Sequence, residues 1–147
     1  MKFSKSLITT AIFGFSLASF HSTAWADTLE QQFQQGFEAI TREDYQTAFK
    51  LWLPLAEQGN ASAQFNLGNM YRRGEGVKQD NFEAVKWYRK AAEQGNAKAQ
   101  VLLGLAYLLG KGVQFNKSLA KEWFGKACDN GNQQGCEYYG KLNRGEL

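Results

Sequence analysis

ASAQFNLGNMYRRGEGVKQDNFEAVKWYRKAAEQGN, residues 61–96, is followed without a gap by AKAQVLLGLAYLLGKGVQFNKSLAKEWFGKACDNGN, residues 97–132. Moved forward by 36 residues, the first segment lies on the second. Ala63/Ala99, Gln64/Gln100, Leu67/Leu103, Gly68/Gly104, Tyr71/Tyr107, Gly74/Gly110, Gly76/Gly112, Val77/Val113, Ala84/Ala120, Trp87/Trp123, Ala91/Ala127 and Gly95/Gly131 all match. A period of this length belongs to stacked helical arrays, in which each unit leaves one side for its neighbour to cover. The expected fold class is therefore all-α, a solenoid of antiparallel helix pairs.

One unit can be read residue by residue. Asn60 is placed to cap a first helix, its side chain accepting from the free N–H groups of the first turn. Ala63, Leu67, Met70 and Tyr71 then recur at helical spacing along one stripe. Gly68 sits inside that stripe, which a helix tolerates when a neighbouring backbone must come close. Gly74 and Gly76 end the helix and allow a turn, onto which Val77 folds. Asp80 with Glu83 reads as a capping box opening a second helix. Ala84, Tyr88, Ala91 and Ala92 form its inner stripe with Trp87 at the margin, and Gly95 closes it in a left-handed conformation.

The array continues in both directions. Asp44–Asn60 (DYQTAFKLWLPLAEQGN) aligns with Asp80–Asn96, although Pro54 is expected to bend this helix by removing a donor and crowding the preceding turn. A helix expected over roughly Leu29 to Thr41 precedes it and carries Gly36, without a Gly-x-Gly insertion. Downstream, Gln133–Arg144 aligns with a first helix. The expected organisation is a signal peptide over 1–26, an atypical pair over 27–60, repeats over 61–96 and 97–132, and a capping helix with a tail over 133–147.

The beginning of the chain reads as an export signal. Met-Lys-Phe-Ser-Lys opens it, an apolar run extends from Leu7 to Phe20, and Ala24-Trp25-Ala26 forms a small-x-small site, so cleavage is expected after Ala26. The run falls short of the ~20 apolar residues of a spanning helix. A soluble periplasmic or secreted product, with no integral membrane segment after cleavage, is the expectation. Removing Lys2 and Lys5 from 17 basic residues leaves 15 against 14 acidic ones, so the formal charge falls from +3 to +1. No concentrated basic face remains for nucleic acid.

The single histidine, His21, lies within the expected signal segment. A mature chain without histidine has no Ser-His-Asp triad, Cys-His pair or histidine metal site. No catalytic residue, cofactor or metal is implied. Cys128 and Cys136 remain, and in an oxidising compartment they are expected to form a disulfide. In register, Cys128 replaces Ala92 and Cys136 replaces Gln100, so the bridge joins one helix end to the next helix start.

The units A-x-A-Q-x-x-L-G-x-x-Y-x-x-G-x-G-V and A-x-x-W-[YF]-x-K-A, with their E-Q-G-N-A junction, resemble the Sel1-like repeat family, relatives of tetratricopeptide repeats. The resemblance implies a right-handed superhelix whose first helices line a concave face, and a role in protein–protein interaction. It also implies an alternative, because β-lactam or peptidoglycan-directed hydrolysis or penicillin binding is an activity class suggested for cysteine-rich relatives. Ser118-Leu119-Ala120-Lys121 is the only Ser-x-x-Lys that could serve it, at a repeat position with no partner base. A structural subunit of an envelope complex shares the same fold.

A candidate groove follows from helical angles. Val101, Leu105, Leu108 and Leu109 fall opposite the packed side of their helix, where a polar face is the rule. The matching residues are Phe65, Asn69, Arg72 and Arg73 in the preceding unit, and Phe33, Phe37, Ile40 and Thr41 before that. Together they are expected to line an apolar strip interrupted by two arginines, suited to a peptide whose carboxylate meets Arg72 or Arg73. Self-association, burial by the next unit, and a small-molecule pocket are the competing uses of this strip; partner identity and oligomeric state stay open. Trp52, Trp87 and Trp123 also raise carbohydrate stacking, but recurrence of the last two in register fits packing.

Overall fold

Asparagine starts the first helix of each repeat. Asn60, Asn96 and Asn132 accept from the N–H groups of Ala63, Ala99 and Gly135 at 2.8, 2.9 and 3.0 Å. The computed structural model describes the backbone from Ala18 to Leu147 and side chains from Thr28 onward. The signal segment expected over 1–26 lies outside the residues whose side chains are described. Among the described residues the chain forms seven helices and no strand: α1 (Ala18–Thr41), α2 (Tyr45–Glu57), α3 (Ala61–Arg73), α4 (Asn81–Glu93), α5 (Ala97–Leu109), α6 (Lys117–Asp129) and α7 (Gln133–Asn143). Each helix packs on the next, and α7 rests on both α5 and α6. The result is an all-α solenoid of antiparallel pairs closed by a single helix.

One helix differs in extent from its expected form. α1 begins at Ala18 rather than near Leu29, since no glycine or proline interrupts the stretch. α2 runs through Pro54 to Glu57; the proline lies in the last turn, and the carbonyl it leaves without a donor belongs to exposed Lys50. The capping box is half present. Asp80 accepts from the N–H groups of Phe82 and Glu83, but its own N–H goes to the Tyr71 carbonyl at 2.9 Å, and Glu83 pairs with Lys86.

Gly68 receives a ring as well as the close backbone approach expected there, since a Cβ on it would also stand 3.2 Å from the Ala84 carbonyl oxygen. A Cβ on Gly68 would stand 2.5 Å from the Tyr88 ring, and one on Gly104 2.7 Å from Phe124. At Gly36 it would stand 2.1 Å from Nε1 of Trp52. Trp52, Tyr88 and Phe124 are themselves 36 residues apart, so one notch-and-ring contact recurs in every pair. Trp87, expected at the margin, is 5% exposed and belongs to the core shared by α2 and α3.

The turns stack by a backbone contact. Gly112 has φ +72°, and a Cβ there would lie 2.1 Å from the carbonyl oxygen of Asn81 at the start of α4. Gly76 meets the carbonyl of Tyr45 in the same way. Each Gly-x-Gly turn therefore seats on the preceding pair, through a left-handed glycine that no side chain could replace without strain.

Buried glutamines join successive units. Gln64 donates to the Ala56 carbonyl at 3.0 Å and accepts from Gln94, while Gln100 donates to the Ala92 carbonyl at 3.0 Å and accepts from Asn130. At the third junction the same two positions hold Cys128 and Cys136, which form a disulfide with Cα atoms 4.5 Å apart. A covalent bond thus replaces the glutamine clasp where the last helix has no further unit beyond it among the described residues. Replacing both cysteines by alanine is expected to lower stability by about 2–3 kcal/mol, from the chain entropy of so short a loop. Cys128→Ala with Cys136→Gln rebuilds the clasp and should recover about 0.5–1 kcal/mol of that loss. Urea unfolding, with hydrogen exchange read at α7, measures both.

Candidate binding face

The first helices α1, α3 and α5 share one hollowed side. Phe33 and Phe37 fall one turn apart on α1 and pack edge to face, with ring centres 5.1 Å apart. Both lean on Trp52, whose indole N–H donates to the Phe33 carbonyl at 3.0 Å, so the cluster is fixed from behind by α2. Phe65 approaches from α3 and packs beside Tyr88. These three phenylalanines open onto a hollow of about 580 Å³, whose far wall is Lys98 and the α6–α7 turn at Asn130 to Asn132. Phe37 remains 41% exposed there.

A second hollow, about 320 Å³, lies where Arg72 meets Val85, Tyr88, Leu102, Leu105, Leu109 and Lys111. Tyr88 donates its hydroxyl to Oδ1 of Asn69 at 2.9 Å and accepts from Nε of Arg72 at 3.2 Å. Burial holds this hydroxyl protonated beyond its ordinary value of 10, an effect only partly offset by the hydrogen bond and charge of Arg72. Tyr88 therefore stays a neutral bridge that orients Arg72.

The strip drawn from helical angles is thus two sites rather than one. Phe33, Phe37 and Phe65 come together in the larger hollow; Arg72, Leu105 and Leu109 come together in the smaller. Leu108 is half-buried against the core. Val101 leaves the face altogether: it is 2% exposed, in a cluster completed by Leu142 of α7. Arg73 is turned to Glu75 at 3.6 Å, across the left-handed turn at Gly74, and lines neither hollow. Sequence reasoning missed Lys98, Lys111 and the Tyr88 hydroxyl. The substitution of tyrosine at 88 for phenylalanine at 124, in matched positions, was the available signal for the last.

Trp52, Trp87 and Trp123 are buried, which leaves no open ring face for a sugar. Lys90 and Lys126 cover the Trp87 and Trp123 rings at 4.5 and 4.2 Å. Lys121 lies over Tyr139, its ammonium 5.6 Å from the ring centre, and Ser118 is exposed on the first turn of α6.

Stacked helix pairs with a hollowed side lined by their first helices define a helical-repeat protein of the solenoid class. Residues 33–60, 61–96 and 97–132 each match the Sel1 repeat model. The chain belongs to the Sel1 repeat family. It is similar to a Sel1 repeat protein from Oxalobacter formigenes, with 32% identity and TM-score 0.73 over 85% of this chain and 97% of that one. It is also similar to a protective antigen of uropathogenic Escherichia coli strains displaying the same repeat fold, with 35% identity and TM-score 0.78 over 89% of this chain and 29% of that one. Cysteine-rich protein B of Helicobacter pylori aligns over 75% of this chain and 93% of its own, with 25% identity and TM-score 0.62. A curated relative, an exopolysaccharide production negative regulator of Rhizobium leguminosarum bv. viciae, is 40% identical over 54 residues, or 37% of this chain. The match spans only 20% of that relative's length. Sel1 repeat proteins are in general protein-interaction modules. No helix among the described residues is long and apolar enough to cross a membrane.

Proposed function

We propose that this chain is an exported, non-enzymatic interaction module that holds a segment of a partner polypeptide along its hollowed side. The carrying observation is the larger hollow, where three phenylalanines from two helices meet, with Phe37 open to solvent and Trp52 bracing the cluster. Apolar side chains braced from behind and rimmed by polar groups are what a partner's anchor residues fill. Export is supported by the basic start, the short apolar run and the Ala24-Trp25-Ala26 site. The Cys128–Cys136 bridge suits the oxidising compartment that export implies.

The absence of histidine beyond residue 26 and the placement of Lys121 over Tyr139 support a role without catalysis. Changing Phe65 and Leu105 to serine removes one wall from each hollow. Capture of the polypeptide that the unaltered chain retains from an envelope extract should weaken at least tenfold, with helical circular dichroism unchanged, since hot-spot truncations exceed 2 kcal/mol. Undiminished capture would reject the proposal, and loss of helicity would assign these side chains to folding.

A further inference from the structure

The second repeat differs from its sisters by a set of three residues. Asn69, Arg72 and Tyr88 stand where the third unit has Leu105, Leu108 and Phe124, and where the first has Phe37, Ile40 and Trp52. The fold does not call for the polar trio, because both neighbours close the same place with apolar side chains. What the trio does is hold a cation. Tyr88 takes the Nε hydrogen of Arg72 and is held in turn by Asn69, which leaves both terminal nitrogens of Arg72 without an acceptor among the described residues.

That guanidinium stands at the 320 Å³ cleft between α4 and α5, whose walls include Val85, Leu102, Leu105 and Leu109. Lys111, the central residue of a Gly-x-Gly turn, reaches the same cleft. No acidic side chain lines it. Arg73, Lys86, Lys126 and Arg144 each have a carboxylate partner, but neither Arg72 nor Lys111 has one among the described residues. Two unanswered cations therefore face an apolar cleft at the small end of the ligand-pocket range, with room for a residue or two rather than a helix.

We infer that this cleft receives the C-terminal residue of a partner chain. Its apolar side chain lies among Leu102, Leu105 and Leu109, and its terminal carboxylate bonds Arg72 and Lys111. An internal apolar residue would leave both cations unanswered. An aspartate or glutamate would answer them but put no apolar group into the cleft. A chain terminus carries both chemistries on one Cα, and arginine's paired donors match a carboxylate. The inference rests on the peptide-binding reading and narrows it to one end of the partner.

The test uses the full chain purified from its cells and two pools of octapeptides. Both pools are randomised at seven positions and end in leucine, valine or phenylalanine; one carries a free carboxylate and the other an amide. The acid pool should be retained at least tenfold over the amide pool. Arg72→Gln and Lys111→Gln should each shrink that ratio, while Arg73→Gln, whose partner is Glu75, should preserve it. Equal retention of the two pools would overturn the terminal-carboxylate inference and leave the groove reading standing. Retention of neither pool would count against both. Binding of octanoate that depends on Arg72, with no preference for acid peptides, would give the cleft to a free fatty acid and also overturn the inference.

Discussion

Replacing Phe124 by alanine is expected to lower the stability of the fold by about 3–5 kcal/mol, the range for truncating a fully buried aromatic. Its ring is 0% exposed, lies over Gly104 on one side and stacks on Tyr138 with centres 4.8 Å apart on the other. It has no room to retreat. Gly104→Ala in the unaltered chain sets a Cβ 2.7 Å from that ring, so overpacking of about 1–3 kcal/mol outweighs or cancels the ~1 kcal/mol that alanine gains over glycine inside a helix. In the Phe124→Ala chain the obstruction is gone and only the helix preference remains. The same Gly104→Ala change should then be neutral or stabilising. Urea unfolding of the four chains measures this coupling. Additive effects would mean that ring and notch are not in contact, and that the repeat is held together elsewhere.

This contact also marks how far the residues could be read in order. Helical spacing shows that Gly68 and Gly104 face inward and that something comes close. It does not show what, because the ring arrives from the antiparallel helix 20 residues later. The asparagine caps, the left-handed glycines at 74 and 95, and the cysteine staple were legible because each is a local motif or a residue in register. The candidate face was legible only in part. Angles on a wheel give the direction of Val101, but not that it joins a buried cluster reaching to Leu142 of α7, whose placement no angle on α5 contains. Arg73 looked equivalent to Arg72 until the turn at Gly74 brought Glu75 back to it. Lys111 was hidden by its neighbours, since a residue between two glycines reads as part of a turn.

The tyrosine at 88 shows how a repeat can carry information that periodicity discards. As a member of the inner stripe it is interchangeable with Phe124, and both fill a glycine notch. Its hydroxyl adds only one atom, yet that atom sets the direction of Arg72. Differences between matched positions, rather than the matches themselves, separate the specific face of this array from its scaffold.

The claim on which the functional account depends is that a polypeptide lies against the phenylalanine hollow. It is tested most directly by photo-crosslinking in the protein's own cells. A benzophenone amino acid is placed in the full chain at Phe37, which opens into the hollow, or at Lys90, which rides over Trp87 on α4 and lines neither hollow. The account predicts an adduct with a different polypeptide from position 37 and none from position 90. An adduct from position 90 alone, or one from position 37 that contains only a second copy of this chain, would contradict it.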